Sequence, residues 1–342
     1  MSEFLLQYGL FLAQTVTLVV AILVVIGFAV ASSRKGKSEG GLVVRSLNSR
    51  YRELTDVIRR EVLPKKDFKA AMKARKAEDK SRDSEAAGDR RRVFVIDFHG
   101  DIRASGVAGL RKEVSAILAL ARAEDEVLVR LDNQGGLVHE HGLAASQLIR
   151  IRAQGVPLTV VVDKVAASGG YMMACVANRI IAAPFSIIGS IGVLAQIPNF
   201  HQLLKEHGIE VEQLKVGRYK RTITMFGENT DADREKLTEE LEEIHTLFRQ
   251  MIGEHRPELD LDRLATGEHW LGRRALELGL VDELGTSDDY LIRSLESADL
   301  YGVAWKSPKT LQAKLAAAVE GGTAAALRAA WQSFRDHRFS AR

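Results

Sequence analysis

PLTVVVDKVAASGGYMMACVA, residues 157–177, decides the fold. It begins as a β-branched run too short for a helix and ends as an apolar helical run, with Ser168-Gly169-Gly170 between them. The same order recurs upstream. VFVIDF (93–98) and EVLVRLD (126–132) are strand-like, while VAGLRKEVSAILALARA (107–123) and GLAASQLIRIRAQ (142–154) have helical periodicity. Short β-branched runs alternating with amphipathic helices predict an α/β fold of βα units around a largely parallel sheet. Ligands of such sheets bind beyond the carboxyl ends of the strands. Gly135-Gly136 and Ser168 both fall there.

Ser168 stands between small residues at a strand-to-helix turn. That layout suits a nucleophile whose developing oxyanion meets the N–H groups opening the helix. It suits a plain helix cap equally well. The pair Gly135-Gly136, one βα unit earlier, can expose a second oxyanion donor to work with Gly169, or can simply satisfy a turn that needs positive φ. A serine hydroxyl also needs a base, and a desolvated lysine can serve. KVGRYKRT (215–222), after the strand-like EVEQLKV (210–216), offers Lys220; spacing does not separate it from Lys215 or Lys164.

The flanks differ in kind. Residues 10–31, LFLAQTVTLVVAILVVIGFAVA, carry no charge and are long enough as a helix to cross roughly 30 Å of hydrocarbon. A retained transmembrane helix is expected over a cleaved signal, because residues 1–9 hold no Lys or Arg, the apolar run is long for a signal, and SSRKGK (32–37) after it holds no small-x-small cleavage site. Arg34, Lys35 and Lys37 after it favour a cytoplasmic side for the rest of the chain. Residues 32–91 are dense in both charge signs and predict an exposed helix or partly disordered neck. Its lysines from Lys65 to Lys76 can face anionic lipid or only solvent. Residues 300–342 form a basic, alanine-rich tail. A net charge of +3 over 342 residues calls for no nucleic acid, and Cys175, the one cysteine, excludes an internal disulfide and a cysteine-rich metal site.

DKVAASGGYMMACVANRIIAAPFSIIGSIGVLAQIPNF (163–200), GRYKRT (217–222) and TGEHWLGRRALELGLVDELGT (266–286) closely resemble the signal peptide peptidase A family, and within it the SohB-type branch. The resemblance covers residues 93–295 and extends to the N-terminal span and charged neck. It implies a Clp protease/crotonase-like α/β peptidase domain over residues 92–299, preceded by one transmembrane helix. It further implies a serine endopeptidase with Ser168 as nucleophile, Lys220 as general base and Ser190 supporting the lysine. The N–H groups of Gly136, or Gly135, and Gly169 would form the oxyanion hole. No cofactor or metal is implied. Partners would be peptide or protein substrates, the lipid bilayer of the bacterial inner membrane and further copies in a homo-oligomer. The family's periplasmic habit opposes the charge pattern on the side of the membrane. One departure stands out: Asn133-Gln134 replaces the family's usual Ser-Pro before the glycine pair.

Rival readings remain. A Ser-His-Asp triad would draw on His99, His139, His141, His201, His207, His245 or His269. The pair His139 and His141 sits beside the glycine turn, on a segment read as extended. A zinc site at HEH lacks distant ligands. A crotonase-type acyl-CoA enzyme would share the fold without needing a Ser-Lys pair. A membrane scaffold retaining an inactive protease fold is the non-enzyme alternative.

Overall fold

The computed structural model describes residues 7–20, 22, 40–84 and 90–307. The predicted span over 10–31 lies partly outside them, and so does the tail beyond residue 307. Residues 7–20 form a helix (α1) with exposed side chains. Among the described residues, no helix is long and apolar enough to cross a membrane.

Residues 42–305 are built on one sheet. Its main path runs β1 (Gly41–Ser46), β10 (Ala298–Lys306), β2 (Arg91–Gly100), β3 (Glu126–Asn133), β4 (Leu158–Val162), β6 (Arg179–Ala182), β9 (Glu283–Leu284). From β10 to β9 every pairing is parallel. The strands are apolar on both faces because helices cover both. On β2, Phe94, Ile96 and Phe98 join one core cluster while Val93 and Val95 join another, as the two-residue period of a strand requires. The first cluster takes in α4 (Val107–Leu118), α5 (Val138–Ala153), α6 (Gly169–Ala174) and part of α8 (Asp231–His255). The second packs against Tyr290 and Leu291 of α11 (Ser287–Ser294) and against Leu47 and Tyr51 of α2 (Leu47–Val62).

That last contact departs from the expectation of a charged neck. β1 lies beside β10, and the side chain of the buried Asn48 donates to Ala298 O at 3.1 Å and accepts from Leu300 N at 2.7 Å. Leu47, Asn48 and Tyr51 share one face of α2, and the dense charge on its other faces hides that face in the composition. α3 (Lys65–Ser84) follows as a charged helix, tied to α2 by the Arg75–Asp56 ion pair. At the other end the sheet runs past residue 299, with Leu300 and Val303 buried on β10.

A sidestep after β4 builds the site. The chain leaves β4 at Asp163 and forms β5 (Val165–Ala167), which pairs with the end of β3 and with β7 (Ile187–Gly189). β7 in turn pairs antiparallel with β8 (His269–Leu271). The remaining helices are α7 (His201–Glu206), α9 (Leu261–Leu264) and α10 (Gly272–Glu277). Residues 210–216, expected as a strand, are irregular and exposed. Leu214 is 89% and Val216 95% exposed, so no strand or core within the described residues receives them.

Candidate active site

Register across the sidestep brings the two glycine motifs together. Asn133, the last residue of β3, pairs with Ala166 on β5. The turn at 134–136 therefore lies against the turn at 167–169. The approach is close: a Cβ on Gly135 would stand 2.8 Å from Ala167 O, Gly169 N and Ser168 Cβ. Gly135 also holds φ at 89°, so both its conformation and its surroundings require glycine.

Ser168 is held at φ 52° and ψ −118°, a strained conformation for a residue with a side chain, and one that costs about 1–3 kcal/mol. The surroundings impose it. Ser168 N donates to Gly189 O at 2.8 Å, and Ser168 O accepts from Met172 N at 2.9 Å as α6 begins. The hydroxyl makes no capping hydrogen bond, so the cap expected as an alternative is not formed. Gly169 opens α6, where an N–H has no acceptor within its own helix.

In the facing turn the donors sort themselves. Gly135 is buried, and its N–H donates to Asn133 Oδ1 at 2.9 Å. Leu137 N donates to Ile102 O at 2.8 Å. Gly136, exposed between these two pinned peptides, lines a groove of about 930 Å³ together with Ser168 and Ser190. Ile102, Leu137, Val138, Leu194 and Leu241 make much of that wall apolar.

Ser190 takes φ 51°, and its N–H donates to Glu268 O at 2.6 Å. Lys220 is not brought to this groove. It is exposed in the irregular stretch after α7, where its N–H donates to Gly217 O at 3.1 Å. Lys215 Nζ donates to Arg221 O, and Lys164 pairs with Asp132 at 3.4 Å. His139 and His141 lie on helix α5 rather than on an extended segment. His139 is exposed and His141 is buried. Among the described residues no cluster of His, Cys, Asp or Glu could hold a metal ion.

Two residues here carry little distinguishing signal in the sequence. His245 of α8 lines the groove, and its Nε2 is buried with no hydrogen-bond partner among the described residues. In the sequence it is one histidine among several, and only the packing of α8 singles it out. Asn133 stands out in the sequence only as a departure from the family's Ser-Pro.

The comparisons with known proteins decide the family. The profile described as "Peptidase family S49 N-terminal" matches residues 3–148, and "Peptidase family S49" matches residues 150–300. A "Probable protease SohB" of Haemophilus influenzae is 44% identical over 323 residues, spanning 91% of this chain and 92% of that protein. The chain belongs to peptidase family S49. A second S49 relative, the "Probable protease SohB" of Buchnera aphidicola subsp. Acyrthosiphon pisum, is 45% identical over 318 residues, covering 92% of this chain and 94% of its own. Within S49 the chain is of the SohB type, a protease acting on peptide or protein substrates. A solved mutant of the 1510-N membrane-bound stomatin-specific protease shares 14% identity at a TM-score of 0.40, over 60% of this chain and 84% of that one.

Proposed function

We propose that this S49 protease is a membrane-anchored serine endopeptidase in which Ser168 attacks the scissile carbonyl and Lys220 takes its proton. The observation that carries the nucleophile is the uncapped hydroxyl of Ser168 on a strained turn at the start of α6, beside Gly136. On attack, negative charge develops on the carbonyl oxygen, and the N–H groups of Gly136 and Gly169 receive it. The apolar groove wall suits small or apolar substrate side chains.

Lys220 reaches Ser168 either by closure of its own irregular segment or from a neighbouring copy. Assembly is supported by Leu194, Leu214 and Val216, exposed by 82%, 89% and 95%. Anchoring is supported by the uncharged run at 10–31. A second reading has a specific observation in its favour: His245, on the groove with an unpartnered Nε2, is the base in place of Lys220.

Labelling of the detergent-solubilised chain with a fluorophosphonate probe tests both readings. The first expects labelling in the wild type, loss in Ser168→Ala and Lys220→Ala, and retention in His245→Ala. Loss in His245→Ala with retention in Lys220→Ala selects the second. A folded wild type that does not label favours the inactive scaffold. Mixing Ser168→Ala with Lys220→Ala subunits distinguishes the two routes for the lysine, since recovered activity requires a base supplied by another copy.

A further inference from the structure

Two buried polar side chains hold the glycine turn from beneath. Asn133 and His141 are both 0% exposed. Asn133 Oδ1 accepts the Gly135 N–H, closing an Asx-type turn two residues ahead of itself. Asn133 Nδ2 lies 3.3 Å from Met173 Sδ on α6. His141 Nε2 stands 3.2 Å from Asn133 Oδ1, and its Nδ1 stands 3.0 Å from Leu137 O. A backbone N–H fixes Oδ1 as the atom facing the loop, so a hydrogen bond from the ring to Asn133 needs the proton on His141 Nε2, and a neutral ring then has none for Leu137 O.

The packing around this pair leaves it little freedom. A Cβ on Gly100 would run into the Asn133 carboxamide, and one on Gly170 into the Asn133 carbonyl. A Cβ on Gly169 would run into the His141 ring. One imidazole thus bears on both turns, on Gly169 by direct contact and on Gly135 through Asn133. A buried polar pair of this kind costs desolvation energy unless it is satisfied. Here every polar contact of the two side chains ends within the pair, on Gly135 or Leu137, or on α6.

We infer that Asn133 and His141 are positioning residues of the oxyanion hole: they hold the Gly135 N–H inward so that the adjoining peptide presents Gly136 N–H to the groove. This rests on Ser168 being the nucleophile. Asn133 fixes the Gly135 turn; His141 acts on that turn through Asn133 and bears on Gly169 by direct contact. Neither touches the substrate. Their loss therefore lowers the rate of the chemical step and leaves ground-state binding nearly unchanged.

The test uses the full chain in detergent, a fluorogenic apolar peptide amide and a peptide aldehyde, whose tetrahedral adduct places an oxygen in the hole. Wild type and Ser168→Ala come first, with the fluorophosphonate probe. Failure there sinks the nucleophile, an outcome separate from any effect at Asn133 or His141. Asn133→Ala is expected to lower kcat about 100-fold, the scale of losing one oxyanion donor. His141→Ala is expected to lower it about 10-fold, with KM within about threefold in both cases. Aldehyde affinity falls in step with kcat. The conservative variants Asn133→Asp and His141→Gln, which keep an acceptor and a donor, recover most of the rate and remain informative if the alanine variants do not fold. The double alanine variant loses less than the product of the two single losses, because both act on the Gly135 turn. Unchanged kcat, losses that multiply in the double variant, or a rise in KM in place of the fall in kcat would overturn the inference.

Discussion

Ser168 and Ser190 each stand one residue beyond a register pair, Ala167 on β5 opposite Gly189 on β7, and both take φ near 50°. The parallel strands thus deliver two strained serines side by side onto one groove. Backbone strain of this kind clusters at functional sites. Ser190→Ala and Ser190→Gly separate hydroxyl from backbone. Both are expected to lower kcat by about tenfold if the hydroxyl supports the base, a modest share of a general-base effect. The glycine variant should match or exceed wild-type thermal stability, since glycine accepts φ 51° freely. Full activity in both variants would remove Ser190 from the mechanism.

Gly135→Ala is expected to lower turnover by about 100-fold or more. Its Cβ would meet Ser168 Cβ and Gly169 N at 2.8 Å, so the Ser168 turn must shift. A shift of about 1 Å at a reacting group costs on the order of 100-fold in rate. Peptide hydrolysis within a few-fold of wild type would show that the two turns move independently.

Asn48→Ala should loosen α2 from the sheet. Its carboxamide satisfies Ala298 O and Leu300 N in a buried setting, and leaving them unpaired costs about 1–3 kcal/mol. Hydrogen exchange should rise across residues 41–62 before the central strands respond. Protection unchanged there would mean that the Leu47 and Tyr51 packing suffices.

Acid sensitivity is assigned to Asp125, which is fully buried. Burial raises its carboxyl, but hydrogen bonds from the Arg92 side chain and from the N–H groups of Arg122 and Arg92 outweigh it and hold it at about 2, against an ordinary 3.8. The unfolded chain therefore takes up the proton first as pH falls. The resulting stabilisation, about 2 kcal/mol, is complete above pH of about 4 and is lost as pH falls towards 2. Asp125→Asn should be less stable than wild type near neutrality, with the gap closing on acidification. A gap independent of pH in thermal melts would assign the sensitivity to other carboxylates.

Much of the sheet was legible because periodicity is local. The runs at 93–98, 126–132 and 157–163 lie on β2, β3 and β4, and the helix patterns fall on α4 and α5. Residues 210–216 misled because alternation alone does not supply a partner strand, and none pairs with them. Residues 41–62 misled the other way, since one buried face of α2 is diluted by charge on the rest.

The sequence by itself determined the alternation of strand and helix, the serine-glycine turn and the S49 motifs, because each is written in neighbouring residues. Tertiary structure decided which donors remain for a substrate, since Gly135 N is claimed by Asn133 and Leu137 N by Ile102. It also decided that His141 lies beneath both turns, that His245 lines the groove and that Lys220 stands apart from it. The cause is the sidestep from β4 to β5, which places Ala166 against Asn133 and so joins turns more than thirty residues apart. Hydrophobic period sets which face of an element is buried; strand order sets which neighbours that face meets.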